Sequence, residues 1–543
     1  MKVYSTLPTP PAVGAPPSTE EDTGLLGVIE PVLLSEHVPG EILPLPRVLS
    51  ARDLTVLCLI AVFLITNVSL LAGAGGAAFV FFGLGFLCFL IPSALVCAQL
   101  YRLFPGEGAV YLWAQKAFGN FWDMLLGFFC HWWAGAFGLI VEVGAIVTYL
   151  QALNPSWLQE PWQQGMVQIV ALLLALMLCA LGQRQLQNLI NFVFLGYLAL
   201  IVLIGLAGVV WLLGGHPAQG DFTSQGWQIS KANLPLFATV ILSLLGMEVP
   251  LNLGGELTRR RDGGRYLLWA TVITIVGYFI ATFGILVVLP PQDATQPVLL
   301  GNVFTSAFGE TVGGALSKLT DVMLVFYFLC ATAAFNLMFA RLLVVTGMDL
   351  RAPRSFLRLN QNGVPFRAMA FQVAFNVVIV AILFFLVPRL TGGNPLEELA
   401  VFLITLNGAG VVWELAMVGL FLSGLVLFVR YQRQLAGHWI APPLVMYAAA
   451  VAGLLASCAS IFIIFFAGSP LPDALGNDQW VYFVALVVLF SLALGAIWAF
   501  LAPEPEDVMG LLALQQSQPA EAASAPPLVR VTPPATRHSP LMR

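Results

Sequence analysis

Charge is what this sequence has least of. Asp, Glu, Lys and Arg make up 9% of its 543 residues, against 59% hydrophobic ones. So few charges exclude an ordinary water-soluble globular chain. Cysteine is sparse as well: seven residues, at 58, 88, 97, 130, 179, 330 and 458, all inside apolar stretches and none in a CxxC pair. They read as buried small hydrophobes, which implies neither a disulfide framework nor a metal site. The sequence has no GxxxxGK[ST], so no P-loop ATPase drives it. HExxH and GxSxG are missing too. These absences predict a protein that is not an enzyme, with no cofactor and no nucleic-acid partner.

What the chain has in abundance is long apolar runs. Twelve segments are expected to cross a bilayer: 54–72, 77–100, 122–150, 164–182, 192–214, 235–256, 266–290, 316–346, 369–388, 396–429, 442–467 and 479–502. Most run about 20 residues, the length a helix needs to span. The runs are continuous rather than alternating, which argues for helices over barrel strands. The lipid bilayer is therefore the expected surrounding. Residues 1–52 and 503–543 are rich in Pro, Ser or Glu, lack an apolar core, and read as disordered cytoplasmic tails; no cleavable signal is expected at the start. With the N-terminus inside, only Lys231, Lys318 and Arg389 of the 23 Lys and Arg fall outside. That asymmetry predicts both termini in the cytoplasm of a multi-pass inner-membrane (plasma-membrane) protein. The slightly negative net charge arises partly in the acidic N-terminal tail and says little about a ligand.

Spans 1 and 6 each carry a polar, glycine-bearing interruption. In span 1 it reads Ile65-Thr66-Asn67-Val68-Ser69 into Ala72-Gly73-Ala74-Gly75-Gly76; in span 6 it reads Leu245-Gly246-Met247-Glu248-Val249-Pro250. They lie five spans apart, so a second copy of an odd-numbered repeat would sit upside down in the membrane. The expected organisation is a first inverted repeat at 53–215, a second at 216–435, and two further spans at 436–502 that scaffold or form homodimer contacts. For Gly73, Gly75, Gly76 and Gly246 the alternatives are backbone opening and close helix packing.

Carboxylates at membrane depth are costly and mark function by default. Glu248 leads the candidates for a proton-coupling group, followed by Glu414 and Glu142. Asp321 reads equally as the solvated end of span 8. His131 precedes Trp132 and Trp133, and reads as a packed or snorkelling side chain in an interfacial aromatic belt. Thr66, Asn67, Ser69, Ser243, Asn336 and Asn407 offer hydrogen bonds near the two breaks. With backbone opened at Gly73, Gly75, Gly246 and Met247, they form a candidate receptor for an amino acid. Half-helix N–H groups suit its carboxylate. Half-helix carbonyls suit its ammonium. At the inner side, Glu256, Arg259 and Arg341 read either as ordinary positive-inside anchoring or as an inner gate.

Three motifs point further. Phe104-Pro105-Gly106-Glu107-Gly108-Ala109-Val110-Tyr111-Leu112-Trp113 runs into Ala117-Phe118-Gly119. Ile241-Leu242-Ser243-Leu244-Leu245-Gly246-Met247-Glu248 is followed by Glu256. Asn362-Gly363-Val364-Pro365 precedes span 9. In this order and spacing the chain resembles the amino acid–polyamine–organocation (APC) permeases, most of all the bacterial glutamate:γ-aminobutyrate antiporter group, over roughly residues 50–500. The resemblance implies an all-α integral membrane protein of 12 transmembrane helices. It implies a LeuT-like five-plus-five inverted repeat with two extra C-terminal helices, and substrate held between spans 1, 3, 6, 8 and 10. Glu248 matches the family's span 6 acid and Glu256 its inner-end acid. The span 1 segment departs from the superfamily's Gly-Ser-Gly-Ile, Arg259-Arg260-Arg261 replaces a Lys or Asn-Pro, and Ala340 stands for a Ser before Arg341. The expected function is secondary transport of an amino acid by alternating access, by exchange or with protons. The alternatives are a polyamine or organocation transporter and a non-transporting sensor with the same fold.

Overall fold

The computed structural model describes residues 47–231, 233–258, 263–468 and 475–503. Within them the chain is almost wholly helical, with one isolated bridge between Leu49 and Leu257. Eleven helices are long and apolar enough to cross a membrane. They match the expected spans to within a few residues at most ends. The last, for example, runs Asn477–Leu501. The expected twelfth helix is not one helix. Residues 235–256 form a short α-helix, Pro235–Ser243, and a 3₁₀ helix, Val249–Glu256. Between them Gly246 takes φ +112, a conformation that glycine reaches without a Cβ clash.

Span 1 is also two helices, Ala51–Val62 and Ile65–Ala72. Its break lies at Phe63-Leu64, earlier than the polar, glycine-rich segment predicted. The glycines at 73–76 instead make the turn into span 2. What holds the backbone open at Phe63 is a set of tyrosines. The Tyr197 hydroxyl accepts from Ile65 N at 2.8 Å and donates to Phe63 O at 3.0 Å. Tyr278 donates to Val62 O at 3.0 Å, with Ser243 O of span 6 at 3.4 Å. Tyr266 donates to Met247 O at 3.3 Å. A broken helix in a membrane is tolerated only where its freed groups find partners. These hydroxyls supply them, so no glycine is needed at the span 1 break.

The two breaks lie against each other. A Cβ on Gly246 would come within 2.9 Å of Ala61, and Cys58 Sγ lies 3.3 Å from Met247 Sδ. Two other boundaries move. The long eighth helix, Asn302–Met348, is interrupted at Gly309, so a short helix precedes the span. The expected N-terminal tail ends sooner than residue 52. Leu49 N donates to Glu256 O at 3.1 Å and Thr258 N to Leu49 O at 2.9 Å, while Ser50 caps span 1 through Asp53. Residues 1–46 and 504–543 lie outside the described ones. The seven cysteines are free. Five are buried as predicted, whereas Cys458 is exposed and Cys88 half-buried, because each sits on an outward face of its helix.

Candidate functional site

A cavity of about 540 Å3 lies beside the two breaks. Its walls come from span 1 (Leu64, Asn67), span 3 (Gly138, Glu142), span 6 (Ser243, Leu245), span 8 (Phe335) and span 10 (Asn407, Trp413), with span 11 and 12 residues at its edge. This volume lies within the range of small-ligand sites. Of the predicted substrate residues, Asn67, Ser243 and Asn407 line it, and so does the predicted acid Glu142. Glu142 is buried and its Oε2 has no partner.

Other candidates sit behind the wall. Glu248 is fully buried and accepts a hydrogen bond from the cavity-lining Trp413 indole at 3.0 Å. Met247 and Gly246 form the break itself. Asn336 is buried against Cys179 of span 4, Ser69 is buried with its hydroxyl unpartnered, and Thr66 is half-buried outside the cavity wall. Glu414 faces away and accepts from Ser460 of span 11. Gly73 and Gly75 serve the outer loop. A Cβ on Gly75 would meet Asp221 O at 2.7 Å, Gly76 N donates to that same carbonyl at 2.9 Å, and Thr295 approaches Gly73. In the loop, hydrogen bonds from the Thr223 amide and hydroxyl hold the Asp221 carboxyl below its usual range.

Two polar residues lie where the sequence did not suggest. His131 is packed rather than snorkelling, and it packs toward a carboxylate: it is fully buried, its Nδ1 is 2.9 Å from Leu126 O, and its Nε2 is 3.8 Å from Glu248 Oε1. The break in span 6 carries Glu248 across to span 3, a contact that no sequence spacing encodes. Asp321 is buried as well rather than solvated, with Oδ1 unpartnered.

Beyond its break, span 6 is tied to span 8. Arg341 of span 8 and Glu256 of span 6 form a fully buried ion pair, and Gln183 of span 5 donates to the same carboxylate. Arg259 lies outside the described residues. The Gly106-Glu107-Gly108 loop seals the pair. A Cβ on Gly254 would strike Gly106 O at 2.3 Å, and one on Gly255 would strike the Glu107 carboxylate at 2.6 Å. Only glycine allows that approach. Gly108 N also donates to Asn252 O at 3.2 Å, and Tyr101 to Gly254 O at 3.1 Å. Glu107 is half-buried, but both its carboxylate oxygens are buried and unpartnered. Burial, then the nearby Glu256 charge, push its carboxyl well above the usual range, against the pull of Arg341. A second lock joins Arg351 to Asp123 at 2.8 Å and Tyr111 to Asp349 at 2.7 Å. The cavity therefore lies on the side of the breaks away from a closed, charged end. In the orientation the Lys and Arg predict, that end is cytoplasmic.

A model of the amino acid permease family matches residues 52–490. An uncharacterized transporter of Legionella pneumophila is 23% identical over 352 residues, 61% of this chain and 73% of its own length. The serine/threonine exchanger SteT of Bacillus subtilis is 25% identical over 347 residues, 58% of this chain and 69% of its own. Among solved structures, a manganese transporter of Eremococcus coleocola, in complex with an aromatic bis-isothiourea substituted compound, superposes with a TM-score of 0.55. It shares 12% identity, over 86% of this chain and 99% of that one. A single-residue mutant of that transporter gives 0.52 at 13% identity, over 82% and 94%. These two likenesses speak for the fold alone.

Proposed function

The chain belongs to the amino acid permease family and is a multi-pass membrane transporter, and we propose that it carries an amino acid across the plasma membrane by alternating access. The observation that carries this reading is the meeting of two broken spans at one cavity, with the Glu256–Arg341 pair closing its far side. Broken helices put backbone donors and acceptors at mid-membrane, where a zwitterion needs both. The related serine/threonine exchanger supports exchange as the mode. The five-span repeats at 53–215 and 216–435, with spans 11 and 12 as scaffold or homodimer surface, belong to the same reading. So does a cytoplasmic placement of both termini.

Uptake of labelled amino acids into proteoliposomes tests it. Vesicles preloaded with unlabelled amino acid are compared with empty vesicles and with empty vesicles under an inward proton gradient. Exchange predicts uptake that requires preload. Uptake driven by the gradient alone would make the protein a proton symporter. No movement of any amino acid in any of the three would remove the reading.

A further inference from the structure

We propose that Glu142 is the receptor for the substrate's ammonium group, so that this cavity selects amine-bearing molecules with apolar bodies and rejects acidic ones. The inference rests on the transport reading above and narrows its substrate class.

Several hydrogen-bond donors along the cavity wall are engaged by protein. The Trp413 indole donates to Glu248 at 3.0 Å, and the Trp480 indole to Ile464 O at 2.9 Å. The Ser243 hydroxyl donates to Thr239 O at 2.6 Å, and the Asn407 amide to Leu403 O at 2.9 Å. Acceptors are left over: a Glu142 oxygen without a partner, the Asn407 carbonyl, and the Ser243 lone pairs. Among the described residues, Glu142 is the charged one lining the cavity, and no Lys or Arg joins it there.

A buried carboxylate without a partner is costly, and a ligand that supplies a cation removes that cost. An ammonium supplies three donors and no acceptor, which matches the unpartnered Glu142 oxygen. Most of the lining surface around it is hydrocarbon, with Phe137 and Phe335 beside Glu142 and Gly138, which suits an apolar side chain. A ligand with a second carboxylate would meet Glu142 with no cation to offset it. This runs against the glutamate suggested by the sequence resemblance. Glu248, the leading acid in the sequence, lies behind Trp413 and does not take this role.

The test uses the full-length protein in lipid nanodiscs, with binding of four probes measured by calorimetry. The probes are leucine, isoamylamine, isocaproate and glutamate. Isoamylamine keeps the ammonium of leucine and isocaproate keeps its carboxylate. The expected result is binding of leucine and isoamylamine, with isocaproate and glutamate at least tenfold weaker. Glu142→Gln should weaken both binders by roughly tenfold to a hundredfold, the effect of losing a charged hydrogen bond. Isocaproate or glutamate binding as tightly as leucine would overturn the assignment. So would absence of isoamylamine binding, or unchanged affinities in a folded Glu142→Gln. If that variant does not fold, the four probes on the wild type decide by themselves. Isoamylamine binding without transport of any amino acid would sink the amino acid reading and leave the ammonium site standing. Amino acid exchange indifferent to Glu142→Gln would do the reverse.

Discussion

Arg341→Met is expected to lower stability by about 3–5 kcal/mol, because it strands Glu256 as a buried charge without its counter-ion. Arg341 and Glu256 are both fully buried, so water cannot take over. The Glu107 carboxylate stands beside them, its oxygens buried and without a partner, which makes two carboxyl groups to one guanidinium. With Arg341 gone, no other Lys or Arg among the described residues pairs with either acid, and Gln183 is left donating to Glu256. The double variant Arg341→Met, Glu256→Gln should recover much of the loss, since replacing both members of a buried pair is often neutral. Thermal melting of the purified protein checks both. A double variant no more stable than the single one would show that the pair does not hold the inner end. The pH dependence of the wild type follows from Glu107. Its carboxyl is pushed up by burial and by Glu256, so the folded state keeps a proton that the unfolded state releases. Stability contributed here is present at acidic pH and declines as pH rises through the interval between the two values. The same melting experiment in Glu107→Gln should lose that decline.

Glu248→Gln is expected to flatten the pH profile of transport and to reduce uptake by about tenfold or more, with the fold retained. The amide still accepts from Trp413, so packing is kept; the magnitude is that of a charge-assisted hydrogen bond reduced to a neutral one, with loss of the proton. The geometry around it supplies the reason. Leu126 O can only accept, so His131 Nδ1 carries the proton of the neutral ring and Nε2 is bare. That bare nitrogen faces Glu248 Oε1 at 3.8 Å. At that separation the two are not hydrogen-bonded; both are acceptors, and they repel until one of them takes up a proton. From other elements Glu248 meets Trp413 and His131; among the described residues no Lys or Arg pairs with it. Uptake measured across pH for the wild type and Glu248→Gln tests this. A variant whose profile parallels the wild type would exclude Glu248 as the titrating group.

The spans were legible because a bilayer imposes one rule on every segment, and apolar length reports it directly. The break in span 6 was legible through Gly246 and Pro250, residues that weaken a helix by themselves. The break in span 1 was misplaced because its cause is tertiary. Phe63 and Leu64 carry no local signal, and the hydroxyls that hold them apart come from spans 5 and 7. The hint available was tyrosine within otherwise apolar helices, since a buried phenol usually finds a partner. Glu256 and Arg341 were legible as candidates through charge at the end of apolar spans. Glu107 was visible only as part of a motif, because its burial depends on the glycines at 254 and 255 across the interface. Side-chain direction was not legible at all. Glu142, Glu248 and Glu414 look alike in sequence, yet one lines the cavity, one lies behind Trp413 and one points to span 11.

Paired accessibility measurement tests alternating access most directly. Leu70 is exposed and lines the cavity, whereas Asn252 is buried behind the Glu256–Arg341 pair. Leu70→Cys and Asn252→Cys, made separately in protein whose exposed Cys458 is replaced, report the two sides. The labelling rate of each is followed with a water-soluble maleimide as a transported amino acid is added. The account predicts opposite changes: substrate slows labelling at residue 70 and speeds it at residue 252. Rates that rise together would describe an open channel, and rates that never respond would describe a fixed receptor; either would contradict a transporter that alternates between two closed ends.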